Sequence, residues 1–580
     1  MRPVSRRALA TGGLTAAAML ATTALGTTFA SAGSHHRAAA TPQYGGTIVY
    51  ALPTQTNIPW YFPIRNDANA SLYTAQLSGL LYQPLIYVND TLAIDYSQSI
   101  ASKITYNKAG TVFNVFMNPK WHWSDGQPIT SADAQFSWNV LMATEQSNAP
   151  APWPSSSLGS GGLPNDFKSF KVDGPYEFTI TLNTPVNQVW FEYKGIGSCP
   201  ILPKHVWDQY PNNITQEITY LGQNATDPSF DSVVSGPFKL QSAIQNQAWT
   251  LVPNPRYDGH KAYVSRLILQ YEGSDTSEFA GLKTGTIQVG YLPAAEYNAR
   301  LELPDKMWVA YPFSYRFAWG NLNKGAENGV NTIFGQLYVR QAMMEGVNIS
   351  AINHLIDHGY GAPEFGPIPT LPKTQFLDPR LTKPIYPYDP AKGKALLEAH
   401  GWSEQNGVMT KGGQKMSFTL MYPSGNLATT LEMELLQSNW AKEGIQVTLN
   451  PVPFATLVGN LSDPSKWEMV SGIGIIYGSY PSGESIFYEL HGLDADLGYN
   501  DPTENKLIQA TTSPQANNAA TMKAFYNYEY YTAQQVPAIW LPNNAAWDEV
   551  APNVHGFNAY TDNWVTGGFL PQYWWVSSGS

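Results

Sequence analysis

Helix and strand signals alternate in the C-terminal half of this 580-residue chain, and this alternation restricts the possible folds more than any other feature. Residues 389–401 begin with Asp-Pro, which is typical of a helix start, and end with Gly, which is typical of a helix stop. Apolar side chains recur at helical spacing over 431–440, Gly444 closes that pattern, and 445–449 predict a strand. Alternating helices and strands favour a mixed α/β fold.

The N-terminal half carries signals of the same kind. Residues 45–53 form a short β-branched run bounded by Gly and Pro, which predicts a strand. Residues 121–128 alternate aromatic rings and end in an Asp-Gly turn. Thr130 and Asp133 then form a capping box, which predicts the start of a helix. The α/β pattern therefore extends over most of the chain, without an internal repeat.

Residues 1–32 are typical of a bacterial export signal. They combine three arginines, an apolar stretch over 8–25 and a small-x-small cleavage pattern at 30–32. The run Ser-Arg-Arg-Ala-Leu also resembles a twin-arginine motif, so both the Sec and the twin-arginine routes stay open. A membrane anchor is the alternative, but the stretch is shorter than the ~20 strongly apolar residues that span a bilayer. We expect an exported protein, periplasmic or extracellular, without a lipoprotein cysteine.

Charge and cysteine content exclude several classes of protein. Loss of the signal removes three arginines and no acids, which changes the formal charge from −11 to −14. Such a chain is not expected to bind nucleic acid, which requires clustered Lys and Arg. A single cysteine, Cys199, excludes an intrachain disulfide and a thiolate zinc cluster, and we predict no metal site. Residues 33–44 are predicted to be a flexible leader.

No catalytic motif is evident. The chain lacks a G-x-S-x-G nucleophile elbow, an H-E-x-x-H zinc helix and a P-loop, so we predict no catalytic residue and no enzyme. The Gly-rich run 472–478 differs from a dinucleotide loop because its third Gly is one residue late. Paired carboxylates that are distant in sequence leave a secreted hydrolase as a remote alternative.

Eight short motifs occur in the order in which one bacterial family shows them. They are the strand 45–53, W-S-D-G-x-P-[IV]-T-x-x-D at 123–133, L-P-x-H at 202–205, S-G-P-F at 235–238, N-P-x-Y at 254–257, V-R-x-A at 339–342, the Y-D-P to G-W block at 388–402 and G-I-x-V at 444–447. Through these motifs the chain resembles the family 5 extracellular solute-binding proteins of bacterial ABC importers, the oligopeptide- and dipeptide-binding type. Turn chemistry and helix capping account for the motifs themselves, so they mark the fold and not the ligand.

The resemblance implies an α/β, two-lobed periplasmic-binding-protein (Venus flytrap) fold with a hinge. By resemblance, residues 45–80, 200–311 and 535–575 form domain I, an inserted domain II covers 81–199, and domain III, the second lobe, covers 312–534. A ligand held between the lobes stabilises the closed form, which the permease of the ABC importer recognises in the membrane. The resemblance implies no cofactor, and we expect a monomer.

Three loops are predicted to contact the ligand, because interlobe pockets combine aromatic walls with a few polar groups. Core packing is the preferred interpretation of any single ring, and the loops as groups are stronger candidates than any member. The predicted ligand-binding residues are Trp60, Tyr61, Trp319, Asn321, Tyr477, Ser479 and Tyr480.

One departure from the family pattern bears on the ligand. Peptide binders of the family often carry an Asp in the third loop, which pairs with the peptide ammonium. Here residues 479–483 contain no acid, and Glu484 is the first. A buried ammonium without a partner is costly, so the departure favours a neutral oligosaccharide as the alternative to a peptide. Glu484, in a shifted register, is the other source of the charge.

Overall fold

The computed structural model describes residues 41–146, 148–461, 463–483 and 498–577. The predicted export segment, most of the predicted leader and Glu484 lie outside these residues. Over the described part of the chain, three large sheets and their helices make a mixed α/β structure, which confirms the predicted fold class.

The largest sheet has seven strands and is built around the first strand of the chain. The predicted strand at 45–53 is confirmed as Thr47–Ala51, and it pairs in parallel with Arg266–Gln270. The strands of the seven-stranded sheet, in spatial order, are Lys306–Ala310, Ala546–Val550, Val289–Tyr291, Thr47–Ala51, Arg266–Gln270, Ala248–Pro253 and Phe238–Ile244.

A five-stranded sheet forms the second lobe. Two of its strands pair in parallel around the helix Leu427–Ala441, so the helix and the strand predicted at 431–449 are both confirmed. In spatial order, its strands are Gln446–Val452, Ser417–Pro423, Met469–Ile476, Ser314–Gly320 and Ile539–Leu541. The last strand comes from beyond residue 534, where the predicted second lobe ends.

An antiparallel four-stranded sheet packs with the helix Ser131–Thr144, and we call the segment that contains them, residues 81–199, the insert body. Its strands are Ala101–Tyr106, Val112–Met117, Glu177–Leu182 and Phe167–Gly174. The capping box predicted at Thr130 and Asp133 is confirmed: the Thr130 backbone N–H donates to Asp133 Oδ2 over 2.8 Å. By the predicted domain bounds, the insert body belongs to the first lobe together with the seven-stranded sheet.

The smaller elements complete the described structure. The helix predicted at 389–401 is Pro390–Ala399, with the Asp389 side chain as its N-cap. The other helices are Leu72–Leu81, Gln188–Trp190 continued by a π-turn at Phe191–Gly195, Lys204–Trp207, Ile214–Asn224, Asp275–Thr284, Asn331–Phe334, Leu337–Glu345, Ile349–Leu355, Phe454–Leu461, Pro502–Thr512 and Asn518–Gln535. The short strands are Ser403–Gln405, Val408–Lys411, Gln414–Lys415, Val554–His555, Asp562–Asn563, Gly568–Phe569 and Trp575–Val576.

The chain crosses twice between the seven-stranded and five-stranded sheets, at 311–313 and at 542–545. Asn543 ties the two crossings together. Its Oδ1 accepts a hydrogen bond from Ser314 Oγ over 2.9 Å, and its Nδ2 donates to the Pro312 carbonyl over 2.9 Å. Two adjacent crossings of this kind are the geometry of a hinge between lobes.

A buried ion pair supports the second crossing. The Arg316 guanidinium donates to both oxygens of Glu432, over 3.1 and 2.6 Å. It also donates to Asn544 Oδ1 over 2.7 Å and to the Pro542 carbonyl over 3.2 Å. Because these partners lie in the crossing itself, the ion pair links the core of the second lobe to the hinge.

Beside the hinge, a cluster of rings joins the two lobes. Trp547, on a strand of the seven-stranded sheet, has its ring centroid 5.4 Å from Tyr297 of the same lobe. It lies 5.5 Å from Tyr360 and 6.0 Å from His358, which both follow the helix Ile349–Leu355 of the second lobe. The lobes are therefore in contact at the hinge side of the cleft.

Candidate functional site

A cavity of about 310 Å³ lies where the insert body meets the second lobe. The first lobe contributes the loop 90–92, two residues of the helical segment 188–195 and Val565. The second lobe contributes the loop 372–376 and two residues that follow the strand Met469–Ile476. The lining residues are Asp90, Thr91, Leu92, Val189, Tyr193, Pro372, Lys373, Thr374, Gln375, Phe376, Ser479, Tyr480 and Val565.

The first-lobe loop is held in place by one side chain. Asn89 Oδ1 accepts hydrogen bonds from the Thr91 N–H over 3.0 Å, from Thr91 Oγ1 over 2.7 Å and from the Ala93 N–H over 3.0 Å. Such Asx turns fix a loop locally. The Tyr193 hydroxyl adds a 2.8 Å hydrogen bond to the Leu92 carbonyl, so the loop is also fastened to the π-turn behind it.

The second-lobe wall is built from packed rings. The Tyr480 hydroxyl donates to the Thr511 carbonyl over 3.1 Å, and its ring packs edge-on against Phe376 at 5.8 Å and Phe525 at 5.1 Å. The loop that carries Lys373 is anchored as well, because the Tyr526 hydroxyl donates to the Gln375 carbonyl over 3.0 Å. Both walls are therefore preformed, as is usual for a ligand pocket.

Two hydrogen bonds cross the boundary between the lobes beside the cavity. Lys194, at the end of the segment that carries Tyr193, donates from Nζ to the Tyr477 carbonyl over 2.9 Å. The Asn187 backbone N–H donates to the Thr512 carbonyl over 2.7 Å. Since these bonds exist only while the lobes touch, the structure represents the closed arrangement.

Among the lining residues that the structure describes, one side chain is negatively charged and one is positively charged. Asp90 is half-buried in the first-lobe wall, and Lys373 is exposed on the second-lobe wall. The remaining lining side chains are aromatic, aliphatic, hydroxyl or amide groups. Such a mixed surface can hold an apolar body, accept and donate hydrogen bonds, and pair with two opposite charges.

Two of the seven predicted ligand-binding residues, Ser479 and Tyr480, line this cavity. Tyr477 lies behind them: its hydroxyl donates to the Pro367 carbonyl, and its ring packs at 5.3 Å on Phe313. Its backbone carbonyl, not its ring, takes part in the interlobe contact with Lys194.

The other four predicted residues lie away from the cavity. Trp60 donates to the Ile64 carbonyl over 3.0 Å and packs edge-on against a tryptophan of the insert body. The Tyr61 hydroxyl accepts hydrogen bonds inside the first lobe, Trp319 stacks at 3.6 Å on a phenylalanine of its own strand, and Asn321 donates to two carbonyls at 464 and 467. The structure gives each a packing or hydrogen-bonding role within the protein, and their role as ligand contacts stays a prediction.

The sequence reasoning did not select most of the cavity lining. Asp90, Val189, Tyr193, Lys373 and Phe376 come from segments without a recognisable motif. For Asp90 the sequence offered only an indirect signal of a binding role. The Asn-Asp pair at 89–90 marks a turn, and turns next to buried elements often carry binding groups.

Metal and thiol chemistry receive no support from the described residues. Over 41–577, apart from the gaps given above, no cluster of three or more His, Cys, Asp or Glu side chains could hold a metal ion. Burial raises the pKa of the Cys199 thiol well above its usual range, which keeps it protonated and inert. The same residues contain no helix that is long and apolar enough to cross a membrane.

The chain is similar to known proteins over most of its length. The family described as "Bacterial extracellular solute-binding proteins, family 5 Middle" matches residues 95–495. The oligopeptide-binding protein AppA of Bacillus subtilis is 24% identical over 555 residues, which cover 94% of each chain. The structure of AppA in complex with a nonapeptide superimposes with a TM-score of 0.77 at 21% identity, covering 93% of this chain and all of AppA. Helicobacter pylori DppA, in complex with the peptide STSA, gives a TM-score of 0.74 at 17% identity and covers 92% of this chain and 99% of its own.

Proposed function

Because the chain belongs to family 5 of the bacterial extracellular solute-binding proteins, we propose that it captures peptides outside the cytoplasm and delivers them to the permease of an ABC importer. The observation that carries the proposal is the cavity whose walls come from both lobes. The nonapeptide in AppA and the peptide in DppA support a peptide as the ligand here.

The mechanism is a shift of population between open and closed forms. A ligand that contacts the loop 90–92 and the loop 372–376 at once favours the closed form, because it loses one set of contacts when the lobes separate. The bonds from Lys194 and Asn187 add to closure but do not depend on the ligand. Ligand contacts must therefore supply the free energy that shifts the equilibrium from the open, empty protein to the closed, ligand-bound one.

Several further features belong to the same proposal. Residues 1–32 direct export by the Sec or the twin-arginine route and are removed. We place the lobes at the predicted domain bounds, and we add to the second lobe the strand Ile539–Leu541, which pairs with the strand Ser314–Gly320. The protein acts as a monomer by binding alone, without a cofactor, and releases its ligand chemically unchanged.

A neutral oligosaccharide is the second candidate ligand. Tyr193, Phe376 and Tyr480 offer ring surfaces, and Thr374 and Gln375 offer the hydroxyl and amide groups that sugars bind. The third loop also lacks an acid over its described residues, 479–483. The cavity therefore contains the groups that either ligand needs.

A ligand screen on the mature chain separates these candidates. Protein unfolded in denaturant, dialysed and refolded should be free of co-purified ligand, and thermal shifts are then measured with a peptide pool and with cello- and manno-oligosaccharides. A ligand at about 100 times its dissociation constant should stabilise the protein by about 2.7 kcal/mol. A shift with peptides, and peptides recovered intact by mass spectrometry, is the expected result. A shift with one sugar and with no peptide contradicts the peptide proposal, and shortened products would indicate a hydrolase.

A further inference from the structure

A second cavity, of about 710 Å³, lies between the insert body and the segment 204–218. The insert body contributes one face of the helix Ser131–Thr144, and the segment contributes the start of the helix Ile214–Asn224. By the predicted domain bounds, all of its described lining belongs to the first lobe, and none of these residues lines the interlobe cavity. The second cavity is therefore formed without contact between the lobes, and it has the size of a ligand pocket.

The buried part of this lining is apolar. Phe136 and Met142 of the insert body and Ile218 of the facing helix border the cavity and are nearly inaccessible to water. Ile214, at the start of the same helix, is 42% exposed. A ligand with an apolar body would cover this side chain and remove its surface from water, which favours binding.

Glu217 is the polar group that distinguishes this cavity from a purely apolar groove. The residue lines the cavity and is only 1% exposed. Its Oε2 accepts a hydrogen bond from the Tyr210 backbone N–H over 2.6 Å, but its Oε1 has no hydrogen-bond partner among the residues that the structure describes. A buried carboxylate oxygen without a partner is unfavourable, so a donor bound in the cavity gains a strong acceptor.

The charges around Glu217 favour a cation as that donor. Burial and the Asp208 carboxylate raise the pKa of Glu217. The backbone N–H groups of Tyr210 and Gln209 and the Lys204 ammonium group act in the opposite direction and lower this pKa. Lys204 is committed to another acid, because its Nζ lies 2.6 Å from Asp208 Oδ2 in an ion pair. The described lining thus contains two acids and one base, which leaves a net charge of −1 when all three are ionised.

We propose that this cavity is a second binding site, which takes a small organic amine with a single ammonium group on an aromatic or aliphatic body. The ammonium group donates to Glu217 Oε1, and the body packs against Phe136, Met142 and Ile218. A neutral analogue keeps the apolar contacts but loses the charge-assisted hydrogen bond, and an anion is repelled by the net negative charge. Because the described lining lies within one lobe, amine binding requires no closure and is separate from the proposed capture of peptides.

The test compares 2-phenylethylamine with the neutral 2-phenylethanol and the anionic 3-phenylpropionate. Dissociation constants are measured by NMR titration of the mature chain at neutral pH. The wild type should bind the amine about tenfold more tightly than the alcohol, as expected for a charge-assisted hydrogen bond, and the anion more weakly than the alcohol. Glu217→Gln should remove the preference for the amine while binding of the alcohol remains.

A second variant tests the location independently of Glu217. Asn139 is exposed and lines the cavity, so the side chain of Asn139→Trp can occupy the cavity without entering the core. This variant should abolish binding of the amine and the alcohol alike, and it replaces Glu217→Gln if that variant does not fold. Amine binding that persists in Asn139→Trp would overturn the inference, because the amine would then bind elsewhere.

The matched control is Glu145→Gln in the insert body. Glu145 is also 1% exposed and also has one oxygen, Oε2, without a partner in the described structure, but it does not line the cavity. The control should keep the preference for the amine, and its loss there would overturn the assignment to Glu217. Equal affinity of the wild type for the amine and the alcohol, or binding of neither, would overturn the inference without bearing on the peptide function.

Discussion

Glu443 is a buried acid whose replacement should stabilise the protein. The side chain is fully buried, and neither carboxylate oxygen has a hydrogen-bond partner among the described residues. It lies between Gly346 and Gly393, where a β-carbon on either glycine would approach Glu443 Oε1 to 2.7 Å. Glu345, on the adjacent helix, also keeps one buried oxygen, Oε2, without a partner in the described structure.

The size of the expected gain in stability follows from the protonation of the Glu443 side chain. Burial, with a further contribution from the Glu345 carboxylate, raises the pKa of Glu443 from 4.5 to about 9. Between these values the folded protein binds more protons than the unfolded chain, so stability decreases as the pH rises from 4.5 toward 9. At about 1.4 kcal/mol for each pH unit, the loss at pH 7 is about 3 kcal/mol.

The substitution Glu443→Gln removes this titration with little change of shape. The buried Gln amide will still lack hydrogen-bond partners, which offsets part of the gain. We therefore expect about 2 kcal/mol of added stability at pH 7, or roughly 5 °C in Tm for a lobe of this size. The control is Glu434→Gln, an exposed site on the helix Leu427–Ala441, where no comparable gain is expected.

Urea unfolding of the wild type and both variants, followed by circular dichroism from about pH 5 to about pH 8, measures the effect. The difference between Glu443→Gln and the wild type should be small at the acid end and should grow by about 1.4 kcal/mol per pH unit. A difference that does not change with pH would show that Glu443 does not titrate in this range. A variant less stable than the wild type at pH 7 would mean that the ionised carboxylate has a favourable partner.

Three further substitutions test the interlobe bond, the hinge and the packing of a predicted ligand residue. Lys194→Met removes the bond to the Tyr477 carbonyl and should weaken every ligand alike, by about three- to tenfold in calorimetry; an unchanged affinity would exclude a role in closure. Arg316→Met leaves Glu432 buried and unpaired and should lower the free energy of unfolding by about 3 to 5 kcal/mol, whereas adding Glu432→Leu should restore most of it. Trp60→Phe should lower stability by about 1 to 2 kcal/mol and leave peptide affinity unchanged; a large loss of affinity would instead support its predicted role as a ligand contact.

The elements that were predictable from sequence are those with local signals at both ends. The capping box at Thr130 and Asp133 and the Asp-Pro start at 389–390 each specify a backbone geometry within four residues, and both were confirmed. The helix and strand over 431–449 were also confirmed, because their periodicity is local.

The cavity could not be derived in the same way, because it is made by tertiary packing. Nothing in the local sequence around Trp60 shows that its ring turns toward Trp153 of the insert body instead of the cleft. Asp90 and Lys373 are 283 positions apart and meet one cavity only because the lobes close. Residue type identified the aromatic candidates, but it could not say which rings face another protein side chain and which face the ligand.

The ring cluster at Trp547 gives the protein a built-in optical signal. Two of its neighbours, His358 and Tyr360, belong to the opposite lobe, so separation of the lobes changes the surroundings of the Trp547 indole. Its fluorescence should therefore report opening without an attached dye, and a variant that keeps this tryptophan while replacing more distant ones could be followed in real time by stopped-flow mixing. Capture and release could then be timed separately, which equilibrium affinities alone do not allow.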